Sequence, residues 1–219
     1  MNWHIVADYV PQYGRAVLVV LRLAAIAIAG SLAVGIAAAL VRHHRVPGAA
    51  RLVAVYVEVS RNTPSMVQLY FLYFGLPLVG VKADGFTCAA VGLVFLGGSY
   101  MAEALRSGLE AVRKGQLDAA ASLGLSPRQT LLRVTLPQAF AVALPALTAN
   151  AIFLVKETSI VSVIAVVDLM ALTQNLVSMF YTSNEAYLLL VASYLVILLP
   201  LSVALRLLER RVRHASFGS

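Results

Sequence analysis

The amino-acid sequence predicts an all-α integral membrane protein, and its composition and its charge pattern both point to this fold class. Of its 219 residues, 60% are hydrophobic and 12% are charged, and the mean hydropathy is +0.84. Soluble domains carry about 25% charged residues. The apolar residues gather into long stretches, with basic residues between them. Because a spanning helix needs about 20 apolar residues, this length allows one domain of about five or six crossings.

The composition also argues against several classes of function. A formal net charge of +7 would favour nucleic-acid binding in a soluble protein, but membrane proteins concentrate Lys and Arg in cytoplasmic loops, so we expect no nucleic-acid partner. His43 and His44 lie in a basic loop without nearby carboxylates or cysteines, which argues against a metal site. The single cysteine, Cys88, excludes a disulfide framework. The ten acidic residues are too scattered to suggest a catalytic site.

Five membrane crossings are predicted from the apolar stretches. They lie at Leu23–Val41, within Leu52–Val81, and at Gly85–Ala102, Gln138–Val155 and Ala186–Leu205. Thr63-Pro64 should kink the second crossing or mark its true start. Glu58 and Arg61 within it lie three residues apart, close enough on a helix to neutralise each other. The fourth apolar stretch is interrupted by Lys156-Glu157, and a further apolar segment, Thr158–Val167, follows.

The basic residues orient these crossings. Twelve of the 17 Lys and Arg residues fall in segments that we assign to the cytoplasmic side, and this places the N-terminus outside and the C-terminus inside. Residues 1–13 are then an external segment, residues 14–210 the membrane domain and residues 211–219 a cytoplasmic tail. The segment from Asp168 to Glu185 has no Lys or Arg, so we expect it outside, as a short helix or a partial re-entry.

The longest polar segment, a cytoplasmic loop at about residues 106–137, carries the functional signals. Residues 116–123 favour a short helix, and Gly124 suits the left-handed residue after its end. Ser126 offers an N-cap, with Pro127 at the first position of a second short helix that ends near Val134. Pro137 then marks the start of the fourth crossing. From the residues alone, this helix-turn-helix is either a protein contact or an amphipathic loop on lipid headgroups.

Several motifs resemble those of one transporter family. Asp118-Ala119-Ala120, then Gly124, then Val134-Thr135-Leu136-Pro137 keep the spacing of the EAA loop of ATP-binding-cassette (ABC) importer permeases. Asp118 stands where the family usually has Glu, and Val134 where it usually has Ile. Three further motifs resemble the polar amino acid branch, which includes histidine, glutamine, glutamate, arginine and opine permeases. They are Arg61-Asn62-Thr63-Pro64 with Val67-Gln68-Leu69, Tyr100-Met101-Ala102-Glu103 with Arg106, and Lys156-Glu157-Thr158-Ser159.

This resemblance, which covers about residues 14–210, implies a type I importer permease with a five-helix core in the bacterial inner membrane. Its loop would dock on a dimer of separate ATPase subunits, which bind ATP and Mg. A periplasmic amino-acid-binding protein would deliver the substrate. The chain has no G-x-x-x-x-G-K-[ST] motif, so we expect no ATPase site and no cofactor here. It shows no internal repeat, so a second permease subunit, identical or a sister chain, is expected.

Other classes remain open. The chain is alternatively a permease for another small solute, or a stand-alone membrane carrier or channel. A stand-alone carrier typically contains repeated halves, which this sequence does not show.

The resemblance also assigns candidate residues. The ATPase-coupling candidates are Asp118, Ala119, Ala120, Gly124, Ser126, Pro127, Arg128, Leu136 and Pro137. Asp118 either anchors the first loop helix and faces a basic residue of the ATPase, or is an ordinary acidic residue at a helix start.

The substrate-pathway candidates are Lys156, Glu157, Ser159, Glu103 and Arg61. Lys156 and Glu157 either recognise the two charges of a zwitterionic amino acid, helped by Ser159, or form a structural pair, or lie at the outer interface. We expect Glu103 to form a salt bridge with Arg106, and the alternative is that Glu103 contacts the substrate. Arg61 either braces the cytoplasmic mouth of the pathway or contacts the ligand.

Overall fold

The computed structural model describes residues 3–180 and 183–217, and it describes the side chains of residues 6–180 and 184–212. All regular structure in these ranges is helical. The α-helices are α1 (Trp3–His43), α2 (Ala49–Asn62), α3 (Ser65–Tyr70), α4 (Gly85–Glu110), α5 (Lys114–Ser122), α6 (Pro127–Thr130), α7 (Leu136–Glu157), α8 (Leu169–Phe180) and α9 (Ser183–Phe217). The predicted all-α class is confirmed.

Four helices in the described ranges are long and apolar enough to cross a membrane. They cover Val6–His43, Gly85–Glu110, Pro127–Ile164 and Asn184–Val212, and so contain the predicted first, third, fourth and fifth crossings. The first begins far earlier than the apolar stretch at Leu23, because α1 runs unbroken for 41 residues. From residue 3 onward, the predicted external segment therefore belongs to this helix. Charged residues such as Arg15 and Arg22 change the polarity of a helix surface without interrupting its backbone hydrogen bonds.

The predicted second crossing is a broken helix. α2 ends at Asn62, Thr63 is extended (φ −108°, ψ 129°), and α3 begins after Pro64, so the expected interruption at Thr63-Pro64 is confirmed. The side-chain amide of Gln68 donates hydrogen bonds of 2.9 Å to the carbonyl oxygens of Ser60 and Thr63. These bonds satisfy carbonyls near the interruption that would otherwise lie unpaired in an apolar setting. α3 continues through one π turn and one 3₁₀ turn to Val79.

Helix α4 lies at the centre of the bundle, where glycines let α1 and α7 approach closely. A Cβ atom at Gly35 of α1 would lie 2.5 Å from the Cβ of Met101, and one at Gly97 of α4 would lie 2.7 Å from Leu154 of α7. Such small residues are common where helices pack inside membranes. The N-terminus of α4 is capped by Asp84, whose Oδ1 accepts a hydrogen bond from the Thr87 N–H at 3.1 Å. This interaction with Thr87 lowers the pKa of Asp84.

The fourth crossing starts further upstream than the sequence predicts. The expected second loop helix does not end near Val134, because α6 passes through a π turn at residues 131–135 directly into α7. Pro137 lies in the first turn after that junction, where a missing N–H is tolerated. After Glu157 the chain forms a 3₁₀ helix to Ile164, and the predicted short helix at residues 168–185 is α8.

Candidate functional site

The loop that the sequence predicts to be cytoplasmic, at about residues 106–137, folds as two short helices joined by a left-handed turn. α5 ends at Ser122, and Gly124 adopts φ 72°, as predicted. The N–H of Gly124 donates to Ala121 and that of Leu125 donates to Ala120, so the last carbonyls of α5 are satisfied. Because α5 begins at Lys114 rather than near residue 116, Asp118 lies in its second turn and is exposed. It does not cap the helix: the N-cap position belongs to Arg113.

A reciprocal hydrogen-bond pair fixes the start of the second loop helix. The Ser126 hydroxyl accepts from the Gln129 N–H at 3.3 Å, and the Gln129 side chain accepts from the Ser126 N–H at 2.8 Å. Pro127 occupies the first helical position, as predicted. Local hydrogen bonds thus define the angle between α5 and α6, so the loop presents a preformed shape.

The loop presents both charged and apolar side chains to its surroundings. Asp118, Ala119 and Arg128 are exposed, whereas Ala120 is buried against the rest of the protein. Leu123, beside the left-handed turn, is 81% exposed. Leu117 and Leu132 in the same loop are also exposed, so the loop offers several apolar side chains for a protein contact. Sequence reasoning missed Leu123, although its place directly before Gly124 at a helix end is a usable signal.

An ion-pair network ties α1 to the cytoplasmic half of α4. Glu103 lies 2.5 Å from Arg42 and 2.8 Å from Arg106, and Arg106 lies 2.5 Å from Glu110. The predicted salt bridge between Glu103 and Arg106 is therefore present, and Arg42 is an additional partner of Glu103. Both carboxylate oxygens of Glu103 are engaged in these contacts.

A cavity of about 290 Å³ lies beside the interruption between α2 and α3, and we call it the break cavity. Its walls are formed by Arg61, Asn62, Thr63, Pro64, Ser65, Leu96, Tyr100, Phe153 and Glu157. Tyr100 lies ten residues before the end of α4 at Glu110, or about 15 Å along the helix axis.

The break cavity brings one positive and one negative side chain together. The Arg61 guanidinium lies over the Tyr100 ring, 5.1 Å from its centroid, and Tyr100 in turn packs against Phe153 at 5.4 Å. The expected pairing of Arg61 with Glu58 is absent from the described residues, because Arg61 stacks on Tyr100 while Glu58 accepts a hydrogen bond from Asn62. Glu157, which also lines the cavity, has a buried Oε2 atom without a hydrogen-bond partner among the described residues.

The remaining pathway candidates lie elsewhere. Lys156 is exposed and does not line the cavity, and no ion pair joins it to Glu157 in the described part of the chain. Neighbouring helical residues point about 100° apart, which separates these two side chains. Ser159 and Glu103 are likewise absent from the cavity walls. Of the five candidates, the structure brings together Arg61 and Glu157, and it adds Tyr100 and Phe153, whose lining role sequence reasoning missed.

Comparison with known proteins identifies the family. Residues 31–214 match the family model described as "Binding-protein-dependent transport system inner membrane component". The chain belongs to this family. Its members are membrane components of importers, so the chain is a multi-pass membrane permease.

Full-length relatives support the same conclusion. The chain is 35% identical over 212 residues to the probable glutamine ABC transporter permease protein GlnM of Bacillus subtilis, covering 97% of this chain and 98% of the relative. It is 33% identical over 214 residues to the glutamine transport system permease protein GlnP of Escherichia coli K12, again covering 97% and 98%.

Solved structures share the fold. A crystal structure described as an amino acid ABC transporter with histidines has a chain that matches with a TM-score of 0.89 and 33% identity, covering 96% of this chain and 99% of that one. A chain of the inward-facing MetNI methionine ABC transporter matches with a TM-score of 0.76 at 20% identity, covering 91% and 95%. The second likeness concerns the fold alone. The type I ABC permease fold predicted from the sequence is confirmed.

Proposed function

We propose that this chain is the permease subunit of an ATP-driven importer for polar amino acids in the bacterial inner membrane. The observation that carries the substrate class is the break cavity, whose lining includes the opposite charges of Arg61 and Glu157. A zwitterionic amino acid carries a carboxylate and an ammonium group at one end, and it complements both. The glutamine permeases among the relatives support this class.

In the proposed binding mode, Arg61 donates hydrogen bonds to the substrate carboxylate, and Glu157 accepts hydrogen bonds from its ammonium group. An Arg guanidinium offers paired N–H donors that match a carboxylate. The Oε2 atom of Glu157 supplies an acceptor that the protein leaves unpaired. Tyr100 and Phe153 form an aromatic wall that limits the size of the ligand and excludes water. Substrate sites beside an interrupted helix are common in transporters.

The cytoplasmic loop is the proposed contact with the ATPase. Its preformed turn at Gly124, the exposed Leu123 and the charges of Asp118 and Arg128 suit docking in a groove of a separate subunit. ATP and Mg would be bound by a dimer of that subunit, so this chain would carry no catalytic site. Leu136 and Pro137 lie at the junction of the loop with α7, where movement of the loop would reach the crossing.

The assembly requires further partners and a defined orientation. We propose a second permease subunit, identical or a sister chain, and a periplasmic binding protein that delivers the amino acid. The chain would cross the bilayer five times, with the broken α2–α3 segment as the second crossing, the N-terminus outside and the C-terminus inside.

The test is ATP hydrolysis in proteoliposomes that contain this chain, its ATPase, any sister permease and the binding protein. Single polar amino acids are added in turn. We expect one of them, or a small related group, to stimulate hydrolysis. An intact complex that none of them stimulates would contradict the substrate class while leaving the permease fold in place.

A further inference from the structure

An apolar groove lies on the outside of the bundle, between α1, α4 and α7, and we call it the α1–α7 groove. It has a volume of about 400 Å³. Its walls include Leu32, Ile36, Leu40, Leu105, Leu109 and Phe140. Ile36, Leu40 and Phe140 are each more than 40% exposed, so these side chains leave the groove open to whatever surrounds the helices. Of its wall residues, only Leu136 belongs to the ATPase-coupling candidates of the proposed transport cycle.

One end of the α1–α7 groove meets a group of basic residues. Ile36, Leu40 and His43 follow one another at four- and three-residue spacing, which places His43 on the same face of α1, directly beyond the groove. Arg45 follows in the adjoining turn. On the wall formed by the start of α7, the exposed residue Arg133 precedes the groove residue Leu136 by three positions. By their positions in the chain, His43 and Arg133 thus continue two walls of the groove toward the same end, with Arg45 two residues after His43.

The positive charge at this end is in excess. The nearby acids Glu103 and Glu110 are already paired with Arg42 and Arg106. Among the described residues, no acidic side chain pairs with Arg45 or Arg133. The groove therefore combines an apolar channel with an uncompensated cationic end.

We propose that the α1–α7 groove binds an anionic phospholipid. One acyl chain lies against the leucines of the groove, and the headgroup phosphate is held by Arg133, Arg45 and the ring of His43. Arginine is suited to this contact because its planar fork of N–H groups matches phosphate oxygens. Basic residues at this depth are also attracted to the negative surface of a cytoplasmic leaflet.

The charge pattern favours a lipid over a second copy of this chain as the occupant. In a membrane, a second copy presents its own basic loops at the same level, because both copies insert with the same orientation. Two clusters of like charge would then face each other across the groove. An anionic headgroup neutralises the cluster instead.

The experiment measures lipid that stays bound to the whole complex. The permease–ATPase complex is reconstituted into vesicles of phosphatidylcholine and phosphatidylglycerol, extracted gently, and analysed by native mass spectrometry. We expect the wild-type complex to retain phosphatidylglycerol in preference to phosphatidylcholine. Arg133→Gln should lower this retention about fivefold, the loss expected for one basic residue near an anionic surface. Ile36→Trp should lower it by filling the groove.

Two matched controls separate this site from the general lipid shell. Arg51→Gln removes another exposed basic residue from the same membrane side, and Leu199→Trp enlarges another exposed apolar residue on α9. Both should retain phosphatidylglycerol as the wild type does. Equal retention in all four variants, or equal retention of the two lipids by the wild type, would overturn the proposal. The proposal would also be overturned if Ile36→Trp separated the permease subunits and left the amount of bound lipid unchanged. In that case the groove would be a subunit interface.

Discussion

Glu157 is half-buried and has one buried, unsatisfied hydrogen-bonding atom. This Oε2 atom has no partner among the described residues, and the other charged residue of the cavity, Arg61, is stacked on Tyr100. A buried carboxylate oxygen without a partner is unfavourable. In the proposed binding mode, a ligand that brings an ammonium group into the break cavity would give this atom its partner.

We expect Glu157→Gln to weaken amino acid binding by about 2 kcal/mol, or about 30-fold. Glutamine has a similar size and shape to glutamate, but without the negative charge the hydrogen bond to the ligand ammonium group is no longer charge-assisted. The measurement is binding of a labelled amino acid to the purified permease–ATPase complex without the binding protein, so that the cavity alone is tested. Lys156→Gln is the matched control, since that neighbouring side chain is exposed and outside the cavity. Equal affinities for the two variants would remove Glu157 from the binding site.

Leu123 is notable for its exposure: at 81% it is the most exposed large apolar side chain described in the loop. We expect Leu123→Asp to weaken association with the ATPase by at least about 2 kcal/mol, the range found for central interface residues. Association is measured between the ATPase and the permease held in lipid nanodiscs. Leu78→Asp is the control, because Leu78 is 87% exposed in a different loop. If both variants bind the ATPase normally, the loop docks through other residues.

At the scale of the element, the shape of the cytoplasmic loop depends on one backbone conformation. Gly124 adopts φ 72°, which lets the chain turn from α5 into the Ser126 cap of α6. A Cβ atom at Gly124 would meet nothing within 4 Å, so space does not restrict this position. Any effect of a substitution there arises from the backbone conformation itself.

We expect Gly124→Ala to destabilise the end of α5 by about 1 kcal/mol, the cost of a left-handed conformation for a residue with a Cβ atom. Hydrogen exchange of the α5 amides in the reconstituted permease should then be faster by about fivefold. Gly115→Ala, also in open space but within α5, is the control and should leave exchange unchanged or slower. Unchanged exchange in Gly124→Ala would show that the turn is not under this constraint.

The loop was predictable from the sequence because its signals are local. Gly124, Ser126 and Pro127 specify a helix end and a helix start within a few residues. The interruption at Thr63-Pro64 was predictable for the same reason. In contrast, the meeting of Arg61 with Glu157 depends on how α2 packs against α4 and α7, and no local pattern encodes that distance. The early start of α1 was hidden because hydropathy reports the apolar stretch rather than the length of the helix.

At the scale of the whole molecule, one uninterrupted run of helix connects the two candidate sites. Pro127 follows the Ser126 cap in the cytoplasmic loop, and the same run continues through the π turn and α7 to Glu157 in the break cavity. At 1.5 Å per residue it spans about 45 Å. The run can bend at the π turn and at Pro145 inside α7. In the proposed function, this run is the link between docking at the loop and the cavity.

That link requires the loop to lie in the cytoplasm, which labelling of single cysteines can test. The native Cys88 is only 3% exposed, so it should react little with a membrane-impermeant maleimide. We introduce His44→Cys, Lys82→Cys and Ser122→Cys, one at a time, at exposed positions in three loops. In cells with a permeabilised outer membrane and an intact inner membrane, we expect labelling of Lys82→Cys alone. In inverted membrane vesicles, we expect labelling of the other two.

The pattern of labelling also counts the crossings, because each crossing between two positions moves them to opposite sides. His44 and Lys82 are separated by the broken α2–α3 segment, and Lys82 and Ser122 by α4. If His44→Cys and Lys82→Cys react from the same side, the broken segment re-enters the membrane without crossing it, and the chain crosses four times. The full reverse of the expected pattern would place the loop outside, where no ATPase could reach it. If the two positions of each pair react from opposite sides and Lys82→Cys reacts from outside, the broken helix is the second of five crossings. The interruption at Thr63-Pro64 would then lie within a membrane crossing, beside the cavity it helps to form.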